Sequence, residues 1–113
     1  MAPASEQIKL HLARQFHLPE EQIELMLPNF ITALVSHLHN LQKALESKDP
    51  VAIGKAGHTI KGAFLNLGLE DCAAIAKDIE QEGKAGNKAA NFRELVQELA
   101  VKMQPVLAEV EIV

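Results

Sequence analysis

Residues 49–68 read DPVAIGKAGHTIKGAFLNLG, and their reading decides the fold class. Asp49 followed by Pro50 is a helix start. The aspartate side chain can accept from free backbone N–H groups, and a proline at the first helical position gives up an N–H that would have no partner there. Apolar residues then recur at helical spacing, as Ile53, Ala56, Ile60, Phe64 and Leu67. Gly68 follows, where helices commonly close on a left-handed residue. The segment is one amphipathic helix with both ends written into it.

Working outward, the upstream stripe Leu27, Phe30, Leu34, Leu38, Leu41 and Leu45 has the same period and ends at Glu46-Ser47-Lys48. Pro19 suits the first turn of this stretch, with Glu20 and Glu21 near its positive end. Pro28 either kinks one long helix or separates two. His17-Leu18-Pro19 divides it from a short helix over residues 5–16, with Ser5 as N-cap. Downstream, a helix over about 69–82 turns Leu69, Cys72, Ala73, Ala76 and Ile79 inward. Gly83-Lys84-Ala85-Gly86-Asn87 reads as a loop. A last helix over about 88–109 has Phe92, Leu95, Val96, Leu99, Met103, Val106 and Val110 inside, with a bend expected at Pro105.

The pattern predicts an all-α, antiparallel up-and-down four-helix bundle with an extra N-terminal helix. It forms a single domain, with a bundle core over about 25–110 and a helical extension over 5–24. Composition agrees: of 113 residues 48% are apolar, with four Phe and no Trp or Tyr. Met1 at the start is the expectation for a complete protein rather than an excised domain.

Several function classes are disfavoured. A net charge of −4 is wrong for binding nucleic acid through its phosphates. A helix-turn-helix around Gly68 would place Glu70, Asp71, Asp78, Glu80 and Glu82 on its second helix, the wrong charge for a DNA groove. No polybasic segment, signal peptide or run of about 20 apolar residues points to a membrane. The single cysteine, Cys72, cannot form an internal disulfide or a cysteine zinc site, and suits the reducing cytoplasm. It sits on the inner face of its helix as a structural thiol. His11, His17, His37 and His39 lie at spacings that put no two on one helical face, and no Glu-x-x-His pair occurs, so no metal is expected. Met26 and Met103 read as core filler.

The outside of the 49–68 helix is costly. Glycine in a helix interior is worse than alanine by about 1 kcal/mol, so Gly54, Gly57 and Gly62 together cost roughly 2–3 kcal/mol. The face opposite Ile60 and Phe64 carries Gly54, Lys55, His58, Lys61, Gly62 and Leu65. His58 points to solvent, with Gly54 and Gly62 one turn either side and Lys55 and Lys61 three residues away. A neutral exposed imidazole can accept a phosphoryl group. Nearby ammonium groups favour the neutral ring and offset charge on the transferring group. Gly54 and Gly62 would let a partner approach, and Leu65 would anchor it.

His58-Thr59-Ile60-Lys61-Gly62, with Gly68 six residues on, resembles the signature of the histidine-containing phosphotransfer (HPt) domain. NLGLEDCAAIAKDIEQEGKAGN is similar to that family's next helix and loop, and the resemblance spans about residues 25–108. Gly57 stands where alanine is commoner, and Ala63 and Phe64 where small or hydroxyl residues are common. The resemblance implies a phosphocarrier rather than an enzyme, part of a multistep two-component phosphorelay. His58 would take a phosphoryl group from a receiver-domain aspartyl phosphate, on the ring nitrogen farther from the backbone, and pass it to another receiver aspartate. Lys61 would contact the phosphoryl oxygens and Gly62 would give clearance. Glu80 or Gln81, with Lys84, would stand beside the ring; with Gly54, Lys55 and Leu65 they complete the expected docking set. The partners implied are response-regulator receiver domains and a hybrid sensor histidine kinase. No bound cofactor is expected, the assisting magnesium belonging to the receiver. A helical adaptor that docks the same partners without carrying phosphate is the competing reading; it has no need of His58 or Lys61. The first helix, outside the family's span, would be a cap over the bundle end or a dimer contact.

Overall fold

The computed structural model describes the backbone of residues 4–87 and 90–111, and the side chains of 6–87 and 90–107. It is all helical, with α1 over Ala4–Phe16, α2 over Glu20–Ser47, α3 over Pro50–Asn66, α4 over Glu70–Lys84 and α5 over Phe92–Glu111. α2 packs on α3, α3 on α4, α4 on α5, and α5 returns to α2, while α1 lies against α2 and α5. Only Lys48 and Asp49 join α2 to α3, and Leu67 to Leu69 join α3 to α4. α3 and α4 run in opposite directions, since Gly54 near the start of α3 lies against Gly83 near the end of α4 and Gly57 lies against Glu80.

The core follows the stripes read from the sequence in part: Phe30, Leu38, Leu45, Ala56, Leu69 and Leu95 are only partly buried, and Ile23, Ile31 and Ile75 join the buried set. Leu27, Leu34 and Leu41 of α2 are buried with Ile53, Ile60 and Phe64 of α3, Ala76 and Ile79 of α4, and Val96, Leu99 and Met103 of α5. The α3 ends form as expected. Asp49 Oδ1 accepts from Val51 N at 3.1 Å, and Gly68 sits at φ +74 as Leu69 N donates back to Phe64 O at 2.9 Å.

Several boundaries differ. α1 begins at Ala4, so Ser5 lies inside it instead of capping it. At Pro28 the outcome is one of the two readings, a single long helix: α2 runs through it with Leu27 and Ile31 on either side buried, so packing carries the helix past one missing hydrogen bond. α4 continues to Lys84, so Gly83 is helical and not part of a loop. α5 starts at Phe92, with Asn91 Oδ1 accepting from Glu94 N at 3.1 Å and its Nδ2 donating to the Glu94 carboxylate. Asn91 thus caps the helix, and its side chain and that of Glu94 hold each other in place. Val110's side chain lies outside the described residues.

α1 closes one end of the bundle. Ile8 and Leu12 are fully buried, and Lys9 pairs with Glu24 of α2 at 3.4 Å. The His11 ring lies over Gly68 so closely that a Cβ there would meet it at 2.6 Å.

Candidate functional site

His58 is on the flank of α3 that borders α4, with 64% of its side chain exposed. Its Nδ1 lies 2.6 Å from Oε2 of Glu80 on α4. Glu80 is the one buried charged residue among those described, its side chain 5% exposed. A buried charge is costly unless paired and hydrogen-bonded. Here Lys61 Nζ donates to Oε1 at 2.5 Å and Lys84 Nζ stands 3.0 Å from Oε2, so one carboxylate holds three basic side chains. Lys84 is 70% exposed and reaches Glu80 from one turn along α4.

The hydrogen bonds from Lys61 and then Lys84, with that of His58, hold the Glu80 carboxyl down to about 2, against burial, which pushes it up. A carboxylate in that state carries no proton, so the proton in the short bond belongs to Nδ1 of the ring. In the neutral ring this leaves Nε2 with the free lone pair. The depressed value also has a stability consequence. A free glutamate titrates near 4.3, so the folded state gains from Glu80 above that pH and loses the gain as pH falls from about 4 toward 2. Denaturant unfolding measured between pH 2 and 6 should show a steep acid limb, and Glu80→Gln should flatten it.

The glycines divide into two kinds. A Cβ on Gly54 would meet backbone atoms of Gly83 and Lys84 at 3.0–3.2 Å. One on Gly57 would meet Ile79 Cγ2 at 3.0 Å and Glu80 N at 3.1 Å. Both residues are buried under α4. This corrects the expectation that Gly54 faces a partner: it lies between core and outer face, where the neighbouring helix packs. Its role is to admit α4, and with it Glu80, to the side of His58. Gly62 differs from both: no atom outside its own stretch of helix lies within 4 Å of where a Cβ would be.

The remaining residues separate similarly. Glu80, expected on the docking surface, is instead buried beneath the ring, since its helical phase follows Ala73, Ala76 and Gly83 into the α3–α4 contact. Gln81 is turned away, in a groove between α4 and α5 with Asp78 and Glu82. Lys61, expected to contact the phosphoryl oxygens, is paired with Glu80. A shallow groove beside His58 is lined by Val51, Lys55, Thr59 and Lys84, and a second, reaching from Lys61, by Leu65, Glu70, Ala73, Ala74 and Lys77. Leu65 is half exposed at 51%. Cys72 is buried, and burial pushes its thiol up, as suits a structural residue.

The family model of the Hpt domain matches residues 25–108 of this chain. The chain belongs to the Hpt domain family. Comparison with curated proteins and with solved structures gives no further match. The Hpt span begins inside α2 and ends inside α5, so it takes in the whole ring of packed helices and the His58–Glu80 site, and leaves out α1. Hpt domains are phosphocarriers in two-component signalling. No helix among the described residues is long and apolar enough to cross a membrane, and no group of His, Cys, Asp and Glu among them could hold a metal ion.

Proposed function

We propose that His58 is the phosphoryl-accepting residue of a phosphorelay, taking the group from a receiver-domain aspartyl phosphate and passing it to a second receiver. The observation that carries this reading is the 2.6 Å contact between Nδ1 of an exposed imidazole and the buried Glu80 carboxylate; a ring that donates there keeps Nε2 as its nucleophile. Lys55, which makes no ion pair among the described residues, and Lys84 supply positive charge at the ring's edge. Lys61 is within reach of the transferring group if it turns from Glu80. Leu65 and the apolar floor of its groove offer the receiver a place to pack, and Gly62 leaves room above the ring.

The test is to mix the protein with a phosphorylated receiver and look for acid-labile, base-stable phosphate. Wild type should acquire it and His58→Gln should acquire none. Receivers that bind without labelling His58 would restore the adaptor reading. Lys61→Ala should slow transfer about 10- to 100-fold, as loss of one charged group facing a transition state does, in a single-turnover measurement.

A further inference from the structure

α1 lies outside the span matched by the Hpt family, and only its inner face is accounted for. Ile8 and Leu12 are buried against the bundle, Lys9 is paired with Glu24, and His11 covers Gly68. At 100° per residue, Leu10 points directly away from Ile8 and Leu12. It is 52% exposed. Glu6 and Arg14, one turn to either side on the same outward face, are exposed as well. Neither makes an ion pair among the described residues. The other large apolar side chains left exposed fall into two sets. Val51 and Leu65 line the grooves of the His58 face, and Val101 stands alone on α5. Leu10, Phe16 and Leu25 all belong to α1 and the start of α2.

From the order Glu6, Leu10, Arg14 we propose that the outward face of α1 binds a second copy of the chain, α1 against α1, antiparallel about a twofold axis at Leu10. In an antiparallel pair, each residue meets the partner residue that stands equally far on the other side of the axis. With the axis at Leu10, the two Leu10 side chains meet each other. Glu6 then faces the partner's Arg14, and Arg14 faces the partner's Glu6. Gln7 falls opposite Ala13, a small residue that lets the helices close. The face is therefore complementary to itself in charge, size and register, as an isologous contact must be.

Charge also decides against other occupants. The face is acidic toward the start of α1 and basic toward its end, so a helix that fits it must carry the same order and run the other way. α1 is itself such a helix. An anionic membrane does not fit, because the face has one charge of each sign and the chain carries −4. The contact is small. Each helix has 13 residues, about 20 Å of length, and a pair of them buries less than the roughly 1,200–2,000 Å² of a standard interface. The dimer is thus a weak one that forms as concentration rises. α1 packs on α2 and α5, whereas His58 is on the flank between α3 and α4, so the axis leaves both His58 rings open. The pairing does not depend on the reading of His58: a chain that carried no phosphate would still dimerise.

The test is sedimentation equilibrium on the whole chain from about 20 µM to about 1 mM, a range suited to a contact of this size. The weight-average mass should climb from 12.3 kDa toward twice that value. Glu6→Arg sets like charges at both contacts, as does Arg14→Glu, and each should weaken association at least about tenfold. Net charge alone forecasts the opposite for Glu6→Arg, which halves the chain's −4. The double variant Glu6→Arg/Arg14→Glu restores opposite charges and should dimerise again. An equimolar mixture of the two single variants should dimerise although neither does so alone. Leu10→Asp should stay monomeric throughout. In wild type, amide ¹⁵N signals that move with concentration should centre on Glu6, Leu10 and Arg14, a readout that needs no variant to fold. A wild type that is monomeric at every concentration would hand this face to a different protein and overturn the proposal. So would moving signals centred on another face, single variants that associate as wild type does, or a mixture that stays monomeric while each variant keeps the wild-type Tm.

Discussion

Gly83→Ala should destabilise the domain by about 2 kcal/mol, although alanine is the better helix former. A Cβ at residue 83 would lie 2.4 Å from Gly54 Cα, 2.5 Å from Gly54 N and 2.6 Å from Pro50 O. All three are backbone atoms, so no side chain can rotate away. Overpacking of this kind costs about 1–3 kcal/mol and at rigid contacts lies at or above the top of that range. Helix propensity returns about 1 kcal/mol of it. The expected loss corresponds to a drop in Tm of roughly 8–10 °C for a domain of this size. The chain can relieve the clash only by moving α4 off α3, which withdraws Glu80 from His58. The variant should therefore lose the Nδ1–H signature of the ring along with stability. Thermal unfolding and ¹⁵N spectra of the histidines check both. An unchanged Tm would mean that α3 and α4 are not in backbone contact at these glycines.

The same pair of glycines marks where sequence reasoning stops. Asp49, Pro50, Gly68 and the stripe from Ile53 to Phe64 were legible because each acts locally, through a cap, a turn or the period of one helix. His58 was legible for the same reason, as a polar residue far from the stripe. A helical wheel, however, knows only an inside and an outside. In a bundle each helix has two neighbours, and a residue roughly 120° from the stripe, as Gly54 is from Ile60, falls beneath one of them. Which flank is covered depends on α4, and nothing in α3 alone encodes it. The clue lay in the other helix: Ala73, Ala76, Glu80 and Gly83 continue a single i, i+3, i+4 series, which puts Glu80 and Gly83 on the buried edge and turns Gln81 outward. A charged residue at the end of an otherwise small and apolar series is a buried charge in need of partners. His58, Lys61 and Lys84 are those partners.

Gly62 makes the opposite prediction, and with it stability and function can be separated. No atom outside its own stretch of helix stands within 4 Å of a Cβ placed there, so Gly62→Gln should fold at least as well as wild type and gain up to about 1 kcal/mol from helix propensity. Its side chain would nonetheless occupy the space one turn from His58, where the reading of this face requires a receiver to bring its aspartyl phosphate against Nε2. Displacing a reacting pair by about 1 Å can cost a hundredfold in rate, and a glutamine displaces a docked backbone by at least that much. Transfer from a phosphorylated receiver should therefore fall about a hundredfold while Tm stays level or rises. Labelling by phosphoramidate, which is small enough to pass the added side chain, should change by less than about threefold. The three measurements together discriminate. Normal transfer from receivers would show that the partner does not approach over Gly62. Loss of phosphoramidate labelling as well would show that the substitution disturbs His58 itself, through the helix and not through the docking surface.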